Sequence, residues 1–430
     1  MTAARRLYTL AWIAAAPLVA VYLLWRSLRQ REYRQHWSER FLGAGARPIG
    51  AGPVVWVHAV SVGETRAAQP LIAALAAARP ELQFVLTHMT PTGRAVGESL
   101  AAQWPGRLVQ RYLPYELPLA LRRFLRETRP ALGVVMETEV WPNLLAATRA
   151  AGVPVALVNA RLSEKSLARA LRFPSLMREA ARGFDRVLAQ AAGDAERLRT
   201  LYDGPLEIVG NLKFDLTPDP TLVERGRALR AGWGDRPVWL CASTREGEEA
   251  QILAAFAARG RPESAMLCIV PRHPQRFDEV ARLIEAQGLR VARRSAGWPP
   301  QPAPGTVLLG DTMGEMALYY AACDVALIGG SLLPFGAQNL IEGCAVGVPV
   351  VLGPSTFNFE QVARDALAAG AAVQVPDAPA AIDALEQIGR DMARRAPMQA
   401  AAIAFAQAHR GATARTVAAL LGLLTASAGR

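Results

Sequence analysis

Short runs of Val, Leu and Ile recur along most of the chain, separated by longer alanine-rich stretches in which apolar residues return every three or four positions. In the first half, the runs Val54–Ala59, Phe84–Thr87, Leu132–Met136, Val155–Val158, Val187–Gln190 and Ile208–Gly210 predict strands. In the second half, Val238–Ala242, Met266–Val270, Val307–Gly310, Val325–Ile328 and Val350–Leu352 do the same. Strands apolar at consecutive positions are buried on both faces, and strands that alternate with helices pair in parallel. The pattern predicts an α/β protein with two parallel sheets, each covered by helices. At 430 residues the chain also exceeds what one hydrophobic core supports.

The rhythm breaks between Gly210 and Pro220, where Asn211, Asp215, Pro218 and Asp219 crowd together, and a linker is expected there. That divides the chain into a basic, apolar leader (1–35), a first domain (36–212) and a second domain (213–430). The closing segment Met392–Leu424 reads as helical and is expected to pack back on the first domain, whereas Trp298–Pro304 reads as a surface loop. In open α/β sheets ligands sit beyond the carboxyl ends of the strands, so the site is expected in a cleft between the two domains.

From Leu7 to Trp25 no charged residue occurs, with Arg5 and Arg6 before the run and Arg26, Arg29, Arg31 and Arg34 after it. Such a run is long enough for the ~30 Å hydrocarbon layer, with Tyr8, Trp12, Tyr22 and Trp25 as interface anchors. Basic residues after the run oppose export, which favours a retained anchor over a cleaved signal. With Pro17 inside it and arginines on both sides, both a spanning and a surface-lying placement fit. The net charge of +11 calls for an acidic partner. No nucleic-acid module is recognisable and the aromatics do not interleave with the basic clusters, so anionic lipid or a phosphorylated substrate is favoured and nucleic acid is not expected. Cys241, Cys268, Cys323 and Cys344 lie in apolar runs and read as buried thiols of a reducing compartment. The five histidines have no metal-ligand spacing, and no metal or other cofactor is expected.

Polar motifs follow the predicted strands. Ser61-Val62-Gly63-Glu64-Thr65 follows the first, with Gly63 read as permitting a tight turn and Glu64 placed at a helix start. There Glu64 is either a dipole-complementing carboxylate or a general base; the dipole keeps it ionised but less basic, and burial opposes that. Met136-Glu137-Thr138-Glu139-Val140-Trp141-Pro142-Asn143 brings two carboxylates to another strand end, either as a salt-bridged loop or as catalytic groups. Asn159-Ala160-Arg161-Leu162-Ser163-Glu164-Lys165 adds two cations, and Arg169, Arg172, Arg178 and Arg182 make this domain strongly basic. In the second domain Ser243-Thr244-Arg245-Glu246-Gly247-Glu248-Glu249 reads as a phosphate or sugar cradle. Arg272, after the next strand, suits a phosphate, and Gly310-Asp311-Thr312-Met313-Gly314-Glu315 offers backbone amides to a base or ribose. The stretch 329–360 predicts strand, glycine turn, helix and strand, with Asn339 and Glu342 on one helical face to read ribose hydroxyls.

In this order the blocks Ser-Val-Gly-Glu-Thr, Met-Glu-Thr-Glu-Val-Trp-Pro-Asn, Asn-Ala-Arg-Leu-Ser, Gly-Asn-Leu-Lys-Phe-Asp, Val-Pro-Arg-His-Pro and Gly-Asp-Thr-Met-Gly-Glu resemble the 3-deoxy-D-manno-octulosonic acid (Kdo) transferases of lipopolysaccharide synthesis. The resemblance runs from about Trp56 to Phe359. It implies a GT-B fold, two Rossmann-like domains facing across a cleft, anchored at the cytoplasmic face of the inner membrane. It further implies inverting, metal-free transfer of Kdo from CMP-Kdo to the tetra-acylated lipid A precursor. Glu64 falls on the family's proposed base, Glu137 or Glu139 on a second acidic position, and Arg272, Met313, Asn339 and Glu342 on positions associated with CMP. The resulting expectation places catalysis on Glu64, Glu137 and Glu139. Donor binding is placed on Ser243, Thr244, Arg272, Gly310, Met313, Gly314, Glu315, Asn339 and Glu342, and acceptor binding on Ser61, Gly63, Arg161 and Lys165.

One departure stands out: Gly336-Ala337-Gln338-Asn339 replaces the Gly-Gly-His-Asn often seen in the family, and a glutamine cannot titrate near neutrality. A UDP-dependent GT-B enzyme and a non-catalytic adaptor for anionic lipid are the alternatives.

Overall fold

In a computed structural model, which describes residues 2–46, 50–259 and 265–428, the chain forms two compact units. One is built from the chain up to Asp215 together with its end from Arg410 onward, the other from Leu216–His409.

The first unit holds β1 (Val54–His58), β2 (Gln83–His88), β3 (Leu108–Tyr112), β4 (Pro130–Met136), β5 (Val155–Ala160), β6 (Arg186–Ala189) and β7 (Leu206–Ile208), in the order β3-β2-β1-β4-β5-β6-β7. The second holds β8 (Val238–Thr244), β9 (Met266–Pro271), β10 (Arg290–Arg293), β11 (Thr306–Leu309), β12 (Val325–Ile328), β13 (Val350–Leu352) and β14 (Ala372–Gln374), in the order β10-β11-β9-β8-β12-β13-β14. Every pairing is parallel. Alternate residues of β1 feed two cores: Val55 and Val57 join Leu71, Ile72 and Leu86 on one face, and Trp56 joins Phe124 and Leu145 on the other. Each such fully buried side chain contributes about 1.5–3 kcal/mol through its loss of water contact.

Three strands, β3, β10 and β14, are absent from the apolar pattern, and all three lie at sheet edges. Their sequences, Leu-Val-Gln-Arg-Tyr, Arg-Val-Ala-Arg and Ala-Val-Gln, carry polar residues because an edge strand has a neighbour on one side only. Arg111 of β3 is fully buried and donates to the carbonyl oxygens of Gly43 (2.5 Å) and Ala46 (3.2 Å).

The leader folds as one helix, Ala3–Ser27, long and apolar enough to cross a membrane, and Pro17 does not end it. At the other end, Gly411 (φ 97°) separates the helices Met392–Ala408 and Ala412–Ala428. The last helix belongs to the first unit, where Leu420 and Leu424 enter the same core as Leu71 and Ile72. Asp215 fixes that return by accepting the Gly411 and Thr413 N–H groups at 2.7 and 2.5 Å. All four cysteines are buried free thiols.

Candidate active site

In the first unit β2, β1, β4 and β5 are adjacent and parallel, so the loops that follow them open on one edge. Ser61 caps the helix Val62–Ala78. Its hydroxyl accepts the Glu64 N–H at 3.5 Å and donates to Glu64 Oε1 at 3.0 Å, while the Val60 N–H donates to Oε2 at 2.7 Å. This reciprocal capping box contributes about 1 kcal/mol to the helix and fixes the carboxylate's position. Gly63 does not form the expected tight turn: its φ is not positive, and an added Cβ would meet only Ser61 Oγ, at 3.9 Å. The surface beside it is simply open.

Glu64 is half-buried, and its pKa is raised to about 7, first by burial and then by the charges of Glu137 and Glu139, against the opposing Val60 N–H and Ser61 hydroxyl. Burial and the two neighbouring carboxylates therefore outweigh the hydrogen bonds that favour the ionised form. The group ends poised between acid and base at neutral pH.

Glu137 follows β4 in a left-handed conformation (φ 58°) and is buried. Lys213 Nζ stands 2.7 Å from one of its oxygens and Arg161 Nε 3.1 Å from the other. Burial pushes its pKa up, but the two cations prevail and hold it below the usual carboxylate range. Of the two readings of this motif, Glu137 thus takes the salt-bridged one: it supplies fixed negative charge instead of accepting protons at neutral pH. Glu139 is half-buried, accepts the Trp141 indole N–H at 2.6 Å, and is pushed up by burial. Lys165 is exposed on the helix Glu164–Ala170 and makes no ion pair among the described residues.

Lys213 was not among the expected site residues, although it lies within the quoted Gly-Asn-Leu-Lys-Phe-Asp block. Asn159, buried and left-handed (φ 54°), brings it in by accepting the Leu212 N–H at 3.0 Å. Beneath the site, His58 at the end of β1 meets the Trp141 ring edge-on at 5.7 Å. Burial, with His88 nearby, lowers its pKa to about 3, so it is neutral and no proton donor.

In the second unit β11, β9, β8 and β12 are adjacent and parallel, and their loops likewise share an edge. Gly329, just after β12, passes so close to β8 that an added Cβ would lie 2.3 Å from the Ser243 carbonyl oxygen. Glu248, fully buried at the start of the helix Glu248–Ala258, accepts N–H groups from Arg245 (2.8 Å), Gly330 (2.6 Å) and Leu332 (3.0 Å). One carboxylate thus pins two loops together. β8 runs on to Thr244, two residues past the expected end, and the buried Thr244 hydroxyl donates to Glu249 at 2.8 Å. Glu249 also pairs with Arg276 at 2.7 Å, so Thr244 serves this interior network and is not turned to a ligand.

Arg272 Nε donates to Gln338 Oε1 at 3.2 Å, which brings the end of β9 to the loop after β12. The expected helix through Asn339 is shorter than its pattern: only Ile341–Val346 is helical. Asn339 precedes it, accepting the Ile341 N–H at 3.1 Å and donating to Glu342 at 3.0 Å. Asn339 and Glu342 meet, but through a side-chain turn that Asn339 makes ahead of the helix and not through helical spacing. After β11, Gly310 packs against Val270 and Tyr319, Met313 is exposed, and Gly314 turns with φ 83°. Glu315, expected at the donor, instead accepts two bonds from Arg294 at 3.0 Å each, which hold its pKa below the usual range. Among the described residues no group of three or more His, Cys, Asp or Glu side chains is placed to hold a metal ion.

Two parallel seven-stranded sheets with polar loops at their carboxyl edges define a GT-B protein built from two Rossmann-like domains. The fold is similar to that of the UDP-GlcNAc 2-epimerase from Neisseria meningitidis, with a TM-score of 0.58 over 86% of this chain and 100% of that one at 14% identity. The family described as 3-deoxy-D-manno-octulosonic-acid transferase (kdotransferase) matches residues 35–216. The 3-deoxy-D-manno-octulosonic acid transferase of Bordetella pertussis is 50% identical over 97% of this chain and 98% of its own length. That of Haemophilus influenzae is 36% identical over 84% of each. The chain belongs to the 3-deoxy-D-manno-octulosonic acid transferase family and is a glycosyltransferase.

Proposed function

We propose that this enzyme moves Kdo from CMP-Kdo to the tetra-acylated lipid A precursor at the cytoplasmic face of the inner membrane, by a single inverting displacement that needs no metal. The first unit holds the acceptor through Ser61, Gly63, Arg161 and Lys165, and the second holds CMP through Ser243, Arg272, Met313, Gly314, Asn339 and Glu342. An acceptor hydroxyl attacks the anomeric carbon, its proton passes to Glu64, and the bond to the CMP phosphate oxygen breaks with its electron pair leaving on CMP. Arg272 and backbone N–H groups of the loops stabilise the charge that grows on the phosphate.

The observation that carries this reading is the state of Glu64. A carboxylate with a pKa of about 7 is a far stronger base than an ordinary glutamate, yet still half ionised at neutral pH. Glu137, kept charged by Arg161 and Lys213, supplies part of that basicity. The expected acceptor, phosphorylated and acylated, also matches the net charge of +11 and the apolar leader. Purified protein incubated with CMP-Kdo and the lipid A precursor yields, on this reading, a product heavier by Kdo in mass spectrometry. A melting temperature raised by UDP and not by CMP would instead favour the UDP-dependent alternative.

A further inference from the structure

The Ala3–Ser27 helix has two unlike faces, and one of them is already taken. Along its whole length a stripe of residues docks on the first unit. Thr2, its cap, donates to Glu179, and Arg5 pairs with Glu179 at 3.0 Å. Thr9 donates to Asn143 Oδ1 at 2.9 Å, and Trp12 stacks on Tyr115 with ring centroids 6.0 Å apart. At the far end Leu23 is only 3% exposed, and Ser27 accepts from Arg34 Nε at 2.7 Å. Asn143 is held for this contact by the buried Glu116, which accepts its N–H at 2.9 Å and that of Leu144 at 2.7 Å.

The opposite face is apolar and bare: Leu7 is 68%, Leu18 72% and Leu28 73% exposed, with Leu10, Val21 and Trp25 between them. At 100° per residue these positions fall on the side of the helix away from Arg5, Thr9, Trp12 and Leu23. A helix crossing a bilayer meets lipid all round; this one would carry the Arg5–Glu179 pair and the Glu116–Asn143 clamp into hydrocarbon, where charged and polar groups are costly.

We infer that this helix lies flat in one leaflet of an anionic membrane, bare face down, and does not span it. The inference rests on the membrane attachment proposed above. Charge complementarity argues for lipid as the occupant: Arg6, Arg29 and Arg31 are exposed around the two ends of the apolar face, where they reach phosphate headgroups. Exposed Tyr22 and Trp25 suit the same interfacial depth.

The test uses the full chain with nitroxide labels at Leu7→Cys, Leu18→Cys and Leu28→Cys, the native cysteines being buried. The labelled proteins are bound to phosphatidylethanolamine–phosphatidylglycerol vesicles and depth is read by paramagnetic relaxation. A flat helix puts all three labels at one shallow depth, about 5–10 Å below the headgroups. Leu18 near the bilayer centre with Leu7 and Leu28 at opposite interfaces, ~30 Å apart, would overturn the inference and leave membrane attachment standing. Protein that stays in the supernatant when the vesicles are sedimented would overturn both.

Discussion

Each unit brings polar loops to one edge of a parallel seven-stranded sheet, with β11 inserted between β10 and β9 in the second, yet the two use their buried carboxylates in opposite ways. In the first, Glu137 is held ionised by Lys213 and Arg161, and its negative charge helps to lift Glu64 to about 7. Charge there is arranged to tune a neighbour's proton affinity. In the second, Glu248 accepts three backbone N–H groups and Glu249 is tied to Thr244 and Arg276. Charge there shapes the backbone. The same side chain thus sets a neighbour's proton affinity in one unit and ties strands and loops together in the other.

Four substitutions and a pH profile test that contrast. The largest effect is expected of Glu64→Gln, which keeps the size of the side chain and removes its basicity: kcat falls by about 10²–10⁴-fold while CMP still raises the melting temperature. Loss of CMP stabilisation in this variant would assign Glu64 to binding and dissolve the contrast. Next, Glu248→Ala deprives the buried Gly330 and Leu332 N–H groups and the half-buried Arg245 N–H of their acceptor, and unfolding is expected to become easier by about 3 kcal/mol with CMP stabilisation lost. A fall in kcat with CMP binding unchanged would count against an architectural role. Third, with Glu64 as the proposed base its ionised form is the one that accepts the proton, so kcat/KM is expected to hold above about pH 7 and to fall roughly tenfold per pH unit below it. Glu137→Gln removes a negative neighbour, so that inflection moves to lower pH; a shift to higher pH would contradict the proposed coupling. The smallest effect is expected of Ala337→Gly. Ala337 is buried with φ 62°, and relief of this left-handed strain should stabilise the protein by up to about 1 kcal/mol in denaturant unfolding.

Much of this was legible along the chain. Strands such as Val325–Ile328 and Val350–Leu352 appear where their apolar runs predict them, because burial on both faces leaves no room for polar residues. The edge strands β3, β10 and β14 were not, since half-covered strands tolerate arginine and glutamine. In the site, Glu64 was legible as a carboxylate at a helix start, whereas the cap that Ser61 forms with it emerged only in the structure. The Lys213–Glu137 pair joins residues 76 apart and depends on Asn159 turning the chain, which no local pattern signals. Thr244 and Glu315 looked like ligand groups by their place after strands, but the structure commits them to Glu249 and Arg294.

Hydrophobic periodicity alone therefore determined the alternation of strands and helices, the apolar leader and the order of the polar loops, because each depends on neighbours within a few residues. Tertiary structure alone decided which carboxylates are free and which are bound, and which face of the leader is left bare. Those outcomes depend on the summed field and packing of distant groups, and a carboxylate reads the same in sequence whether its partner is water, a lysine or three peptide N–H groups.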